Sequence, residues 1–171
     1  MIPRGRLTAG YTLIELVIVI IILAIVSASV AAGIAAQTRQ AVVNEADKLR
    51  RNLSHAQALA SGWGARLRLT NAGSSYTVTC RTALGRSPCN AIGDTVTDPA
   101  TGATFTVTLS SGVTISQSGG TASNVLDFDS MGRPVGTSSL LDASTIYTIS
   151  GSTRTVTLTV AAITGFVSGT Y

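Results

Sequence analysis

The first third of the chain changes its hydrophobic pattern once, near residue 36. From Leu16 to Ala36 the run is apolar and holds no charged residue, and a helix of about 20 such residues is long enough to cross a bilayer. Beyond it, apolar residues recur every three or four positions and predict an amphipathic helix with one buried face. These residues are Val42, Ala46, Leu49, Leu53, Ala56 and Ala60. Gly62 and Gly64 are expected to end the helix, since glycine is favoured just after a last turn.

After Gly64 the pattern becomes a series of short β-branched runs separated by Gly, Asn, Pro and Ser, which is typical of strands and turns. Strands are predicted at residues 65–70, 76–80, 104–109, 113–115, 125–128, 146–149 and 155–160. Turns are predicted at residues 71–73, 98–102, 119–120, 132–134 and 150–152. Alternation of apolar and polar residues implies sheets with one buried and one wet face. The chain is therefore predicted to be α+β, with a long N-terminal helix packed on a C-terminal antiparallel β domain.

Composition favours a β-rich protein outside the cytoplasm over a nucleotide-using enzyme. Only 12% of the 171 residues are charged and 5% are aromatic, and the length allows one domain plus an N-terminal appendage. His55 is the single histidine. The sequence contains no G-x-S-x-G, H-E-x-x-H or P-loop motif. We therefore expect neither an enzyme nor a cofactor.

Two cysteines, Cys80 and Cys89, flank a turn-rich stretch. If the apolar segment directs export of the C-terminal part of the chain, we expect these cysteines to be oxidised. Closing so short a loop stabilises a fold by roughly 2–3 kcal/mol in the chain-entropy model. A metal site is not expected, because no second cysteine pair accompanies the single histidine.

Glu15 places one carboxylate at the threshold of the apolar run. A charge there costs roughly 2.5 kcal/mol or more unless it finds a partner, so we expect another chain to supply one. An ordinary secretory signal remains an alternative, because Arg4 and Arg6 precede the run and small residues at 27–32 offer a cleavage site. A plain signal anchor is a further alternative.

The segment Gly10-Tyr11-Thr12-Leu13-Ile14-Glu15 resembles the class III signal of type IV pilins and of type II secretion pseudopilins. The resemblance implies that a prepilin peptidase cuts between Gly10 and Tyr11 and methylates the new amine of Tyr11. It also implies that Glu15 neutralises the amine of a neighbouring subunit during assembly. Tyr11 stands where most members of the family carry Phe.

By the same resemblance the chain has four parts. Residues 1–10 are the leader, 11–36 a transmembrane and fibre-core helix, 37–62 an amphipathic helix, and 63–171 a periplasmic or extracellular β-rich domain. The expected location is the bacterial inner membrane, with a single pass and a periplasmic C-terminal domain, and then a fibre. The implied partners are other pilin subunits, the prepilin peptidase, the inner-membrane assembly platform and, before assembly, the lipid bilayer.

Two further stretches, residues 53–60 and 128–134, are similar to the helix end and the "F…GRP" segment of the GspH/FimT-like minor pilins, which include an MSHA pilus biogenesis protein. Because the chain ends without a cysteine near its C-terminus, a minor pilin or pseudopilin is favoured over a major subunit. The parent machine stays open between an MSHA-type pilus, another type IV pilus and a type II secretion system.

A ligand-binding minor pilin is the remaining alternative. Six arginines follow the helix and offer a basic patch for phosphates; they are Arg66, Arg68, Arg81, Arg86, Arg133 and Arg154. Arg133, in Gly132-Arg133-Pro134, is the candidate DNA contact, but no aromatic residues interleave to stack bases, so scattered surface arginines are the simpler interpretation. Four aspartates raise the question of calcium; they are Asp94, Asp98, Asp127 and Asp129. Their spacing matches no calcium loop, and we expect solvated turn residues.

Overall fold

The computed structural model describes residues 12–98, 101–137 and 139–171, and for residues 28–38 the backbone alone. Two compact units make up the chain, Met1–Gln37 and Thr38–Tyr171. One helix, α1, runs from Leu13 to Trp63. Gly10, Tyr11 and the leader expected over residues 1–10 lie outside the described residues.

In the first unit, α1 begins directly after Thr12, whose Oγ1 accepts a hydrogen bond from the backbone N–H of Glu15 at 3.3 Å. The large apolar side chains between Leu13 and Val26 are exposed. Within the described residues, no helix combines the length and the apolarity that a membrane crossing needs. The span expected over residues 11–36 lies partly outside the described side chains.

The C-terminal end of α1 is fixed by Gly64, which has a φ of +66°. The backbone N–H of Ala65 donates to the carbonyl of Ala60 at 3.1 Å, and both alanines are fully buried. This pairing, around a glycine in the left-handed region, is the Schellman arrangement. Gly62 lies inside the helix, so of the two glycines expected to end it, Gly64 does so.

The second unit contains two antiparallel sheets. The strands are β1 (Leu67–Asn71), β2 (Ser75–Cys80), β3 (Thr106–Thr108), β4 (Thr114–Ser118), β5 (Val125–Phe128), β6 (Pro134–Val135), β7 (Thr145–Ser150), β8 (Thr155–Val160) and β9 (Val167–Thr170). The first sheet has the order β3-β2-β1-β5-β6 and the second the order β4-β7-β8-β9. The predicted α+β class, with a long helix and antiparallel sheets, is confirmed.

The core of this unit forms between α1 and the inward faces of the strands. All six residues of the predicted helix stripe are at most 1% exposed, and they share one hydrophobic cluster with residues of every long strand. Inward and outward residues alternate along β2 and β8. The helical and strand periods of the sequence therefore predicted the buried faces of α1, β1 and β8 correctly.

Two strands are absent from the sequence prediction. The prediction of a turn at residues 132–134 was wrong at Pro134, which begins β6; this two-residue strand is an edge of its sheet, where the missing N–H of proline is tolerated. β9 contains a single apolar residue, Val167, and carries no strand pattern of its own. It forms because it pairs with β8, and its preceding turn is held by Gln57 of α1, whose Nε2 donates to the carbonyl of Thr164 at 2.8 Å.

Candidate functional site

The first turn of α1 gives Glu15 a local hydrogen bond, separate from the expected pairing between subunits. Thr12 and Glu15 have the spacing of a capping box, in which a threonine at the helix start accepts from the backbone of the third helical residue. The structure contains that hydrogen bond, at 3.3 Å. A carboxylate here also faces the positive end of the helix dipole. Capping and intersubunit charge pairing are thus two separable explanations for the same residue.

The helix surface around Glu15 is apolar on all sides. The exposed fraction of the large apolar side chains ranges from 82% at Leu13 to 38% at Val17, and it is 52% at Val26. Monomeric soluble proteins rarely expose a contiguous apolar area of this kind, and such areas mark contacts with partners or with lipid. Glu15 therefore places a single carboxylate next to an exposed apolar surface.

In the β domain, a buried carboxylate gathers two of the six arginines. Asp127 on β5 is fully buried and lies opposite Arg68 on β1. Arg68 donates from Nε to Oδ1 at 2.7 Å and from Nη2 to Oδ2 at 2.9 Å. Arg66 donates from Nε at 3.1 Å and from Nη2 at 2.8 Å, both to Oδ2. The hydrogen bond to Asp127 raises the pKa of Arg68, although burial opposes it.

A second pair forms in the turn after β5. Arg133 donates to Oδ2 of Asp129 from Nε at 3.0 Å and from Nη2 at 2.8 Å. Oδ1 of Asp129 accepts the backbone N–H groups of Met131 and Arg133 at 2.9 and 2.8 Å. Burial tends to raise the pKa of Asp129, but these hydrogen bonds and the charge of Arg133 outweigh it and hold the pKa below its ordinary value.

These pairs correct the interpretation of the aspartates and arginines. Asp127 and Asp129 are not solvated turn residues, because both are committed to arginines. Arg133, the candidate DNA contact, already shares its charge with Asp129. Sequence reasoning missed the pairs of Asp127 because β1 and β5 are far apart in the chain and their register is not visible in the sequence, whereas the pair of Asp129 with Arg133 is local, at a spacing of four residues.

The remaining arginines lie outside the strands. Arg81 directly follows β2, Arg86 lies in the loop between the two cysteines, and Arg154 lies in the turn between β7 and β8. The six arginines therefore do not form one continuous patch. Three of them, Arg66, Arg68 and Arg81, line a common small cavity.

Cys80 and Cys89 form a disulfide with a Cα–Cα distance of 5.6 Å. Both cysteines are fully buried and belong to the hydrophobic core. By its short loop the bridge contributes about 2–3 kcal/mol in the chain-entropy model. Within the described part of the chain, no three His, Cys, Asp or Glu residues are grouped so as to hold a metal ion.

Comparison with known proteins addresses motif and fold separately. Residues 5–31 match the family described as the prokaryotic N-terminal methylation motif, and this stretch includes Gly10, Tyr11 and Glu15. No curated protein matches the chain in sequence.

Two solved structures are similar to the chain. The minor pseudopilin EpsH from the type 2 secretion system of Vibrio cholerae has a TM-score of 0.56 and 14% identity, over 75% of this chain and 95% of its own. The type IV minor pilin FimU of Pseudomonas aeruginosa has a TM-score of 0.50 and 14% identity, over 76% of this chain and 88% of its own. At this identity the likeness shows the fold. The predicted resemblance is thus confirmed in both its N-terminal motif and its pilin-like α+β architecture.

Proposed function

We propose that this chain is a structural subunit of a type IV pilus or of a type II secretion pseudopilus, and that its work is assembly and not catalysis. The observation that carries the proposal is the N-terminal methylation motif at residues 5–31. The motif contains Glu15, and the large apolar side chains of α1 from Leu13 to Val26 are exposed. The pilin-like fold of the second unit supports the same conclusion.

Within this class we propose a minor pilin or pseudopilin of the GspH/FimT type. The two similar structures are those of a minor pseudopilin and a minor pilin. The segments at residues 53–60 and 128–134 favour the same group. An MSHA-type pilus is one candidate machine, and a type II secretion system is the alternative.

The proposed route begins in the bacterial inner membrane. A prepilin peptidase removes residues 1–10 and methylates the amine of Tyr11, while the β domain lies in the periplasm. The assembly platform then moves the subunit from the bilayer into the fibre. Apolar contacts of the helix supply most of the cohesion there, because burying apolar surface is the main favourable term in association.

In this route Glu15 selects the register of each new subunit by pairing with the Tyr11 amine of a neighbour. An amine or a carboxylate left unpaired in an apolar fibre core costs roughly 2.5 kcal/mol or more, which corresponds to at least about sixtyfold in an equilibrium. The helix alone does not fix the register, since its apolar surface is similar all the way round. One charge pair per interface supplies the missing specificity.

The first prediction separates charge from capping at Glu15. Glu15→Gln keeps a side chain that suits the capping box but removes the charge, and we expect it to reduce incorporation into fibres by about tenfold or more. Thr12→Ala removes the capping oxygen and keeps the charge, and we expect it to assemble nearly normally. The measurement compares the amount of each variant in isolated fibres with the amount of processed protein in membranes.

Both variants are expected to insert into the membrane and to lose the leader normally, which mass spectrometry of the native N-terminus reports. Normal incorporation of Glu15→Gln together with poor incorporation of Thr12→Ala would show that Glu15 acts by capping alone. A native N-terminus at Met1, or at the residue after Ala32, would refute processing at Gly10. Recovery of the wild-type chain in sheared surface fibres supports a pilus, and retention in the envelope supports a pseudopilus.

A further inference from the structure

Three arginines come together at one end of the first sheet. Arg66 directly precedes β1 and Arg81 directly follows β2, and the register that pairs Leu67 with Cys80 brings these arginines side by side. The backbone N–H of Arg81 donates to the carbonyl of Arg66 at 2.7 Å. Leu67 and Cys80 face the core, so by strand alternation Arg66, Arg68 and Arg81 share the outward face. All three line one cavity.

The charges at this place do not balance. Asp127 pairs with Arg66 and Arg68, whereas the exposed side chain of Arg81 has no carboxylate partner in the described part of the chain. Three positive groups against one negative group leave a net charge of +2. Like charges directly opposite each other on neighbouring strands are destabilising, so the arrangement favours an additional anion.

Two of the three arginines, Arg66 and Arg68, are held in place before any anion arrives. Asp127 is completely buried, and its carboxylate fixes Nε and Nη2 of Arg68. The backbone N–H of Asp127 donates to Thr121 Oγ1 at 2.9 Å, and that hydroxyl donates to the carbonyl of Val135 at 2.6 Å. In the described part of the chain, Nη1 of Arg68 and the guanidinium of Arg81 make no hydrogen bond, and guanidinium groups match the oxygens of phosphate in geometry. Arg66 contributes mainly charge, because its guanidinium also donates to the carbonyls of Gly136 and Thr137.

Size and charge together define the ligand. The cavity has a volume of about 100 Å³, which is room for one small oxyanion. A carboxylate neutralises one charge, whereas a phosphate monoester carries about −1.5 to −2 near pH 7. We propose that Arg66, Arg68 and Arg81 form a binding site for a single dianionic phosphate group, as inorganic phosphate or as the end of a phosphate monoester.

The site is independent of fibre assembly, so its test does not rely on the proposed role as a fibre subunit. The full chain is purified in a detergent without phosphate, and inorganic phosphate and glycerol phosphate are titrated at constant ionic strength by calorimetry. We expect saturable binding of both. Arg81→Gln is expected to weaken it about tenfold, since it removes a charge-assisted contact.

Arg154→Gln is the matched control, because it removes an exposed arginine from the turn between β7 and β8 of the other sheet and is expected to leave the affinity unchanged. Circular dichroism verifies that both variants keep the fold. The proposal is overturned if the wild-type chain shows no saturable binding, or if the two variants weaken it equally, which would indicate general attraction by net charge. Tighter binding of short duplex DNA than of glycerol phosphate would also overturn it, because a phosphodiester carries a single charge.

Discussion

Asp127 and Asp129 are the same residue type but differ in burial and in the partners that they bind. The side chain of Asp127 is 0% exposed and that of Asp129 is 19% exposed. Asp127 joins two strands through arginines that are distant in sequence, whereas Asp129 organises its own turn by accepting two backbone N–H groups. Asp127 therefore stabilises the first sheet and positions Arg66 and Arg68 beside the cavity. Asp129 stabilises the turn that contains Gly132, whose φ is +76°.

The turn after β5 predicts a specific dependence of stability on pH. Because the folded-state pKa of Asp129 lies below its ordinary value of 3.8, the ionised carboxylate stabilises the fold above that value, and this contribution is lost as pH falls through the folded pKa. Asp129→Asn is thus expected to lower the free energy of unfolding near pH 7 and to have a smaller effect at about pH 3. Urea unfolding of both proteins across this range measures the difference.

A second variant, Asp142→Asn, provides the control for the pH series. Asp142 is exposed and precedes β7, so its replacement is expected to change the unfolding free energy little at any pH. An Asp129→Asn effect of the same size near pH 7 and near pH 3 would contradict the assigned role of the carboxylate.

At the scale of elements, α1 ends by backbone geometry and not by a change in composition. Gly62 lies inside the helix, and Gly64 takes the left-handed conformation that ends it. A Cβ atom at either position meets nothing within 4 Å. A Cβ atom would therefore cause no clash at Gly62 or at Gly64, and the two positions differ only in backbone conformation.

The two glycines predict opposite effects of one substitution. Gly62→Ala is expected to stabilise the protein by about 0.5–1 kcal/mol, because alanine loses less backbone freedom in a helix. Gly64→Ala is expected to destabilise it by about 1–2 kcal/mol, the cost of a left-handed residue with a Cβ atom. Thermal or urea unfolding of the two variants decides the point, and a change of the same sign in both would refute Gly64 as the residue that ends the helix.

At the scale of the whole molecule, the sequence predicted what is periodic and missed what depends on pairing. The stripe from Val42 to Ala60 and the alternation in β8 repeat locally, so their buried faces were predictable. β9 depends on β8 for its existence, and the partners of Asp127 depend on the register between β1 and β5. The spacing Thr-x-x-Glu indicates a helix cap at Thr12, but the prediction from sequence interpreted Glu15 only as an assembly residue and did not include this cap.

Glu45 is another feature that no local pattern revealed. The helical period places it on the polar side of α1, yet it is 7% exposed. Its Oε1 accepts the backbone N–H of Ser110 at 3.2 Å and the hydroxyl of Ser110 at 2.7 Å. Ser110 lies between β3 of the first sheet and β4 of the second. One carboxylate on α1 therefore holds the connection between the two sheets.

The hydrogen bonds between Glu45 and Ser110 are expected to contribute measurably to the free energy of unfolding. Glu45→Ala removes the charged acceptor of two donors of Ser110. Because Ser110 is exposed, water replaces that acceptor in part, so the free energy of unfolding is expected to fall by about 1.5 kcal/mol, the lower end of what a hydrogen bond to a charged group contributes. Lys48→Ala is the control: its ammonium is 3.9 Å from Oε2 and its side chain is 44% exposed, and such pairs contribute less than about 1 kcal/mol. Combining Glu45→Ala with Ser110→Ala should cost less than the sum of the single variants, because both disrupt one contact. Strict additivity would mean that the helix and the connection between the sheets are stabilised independently.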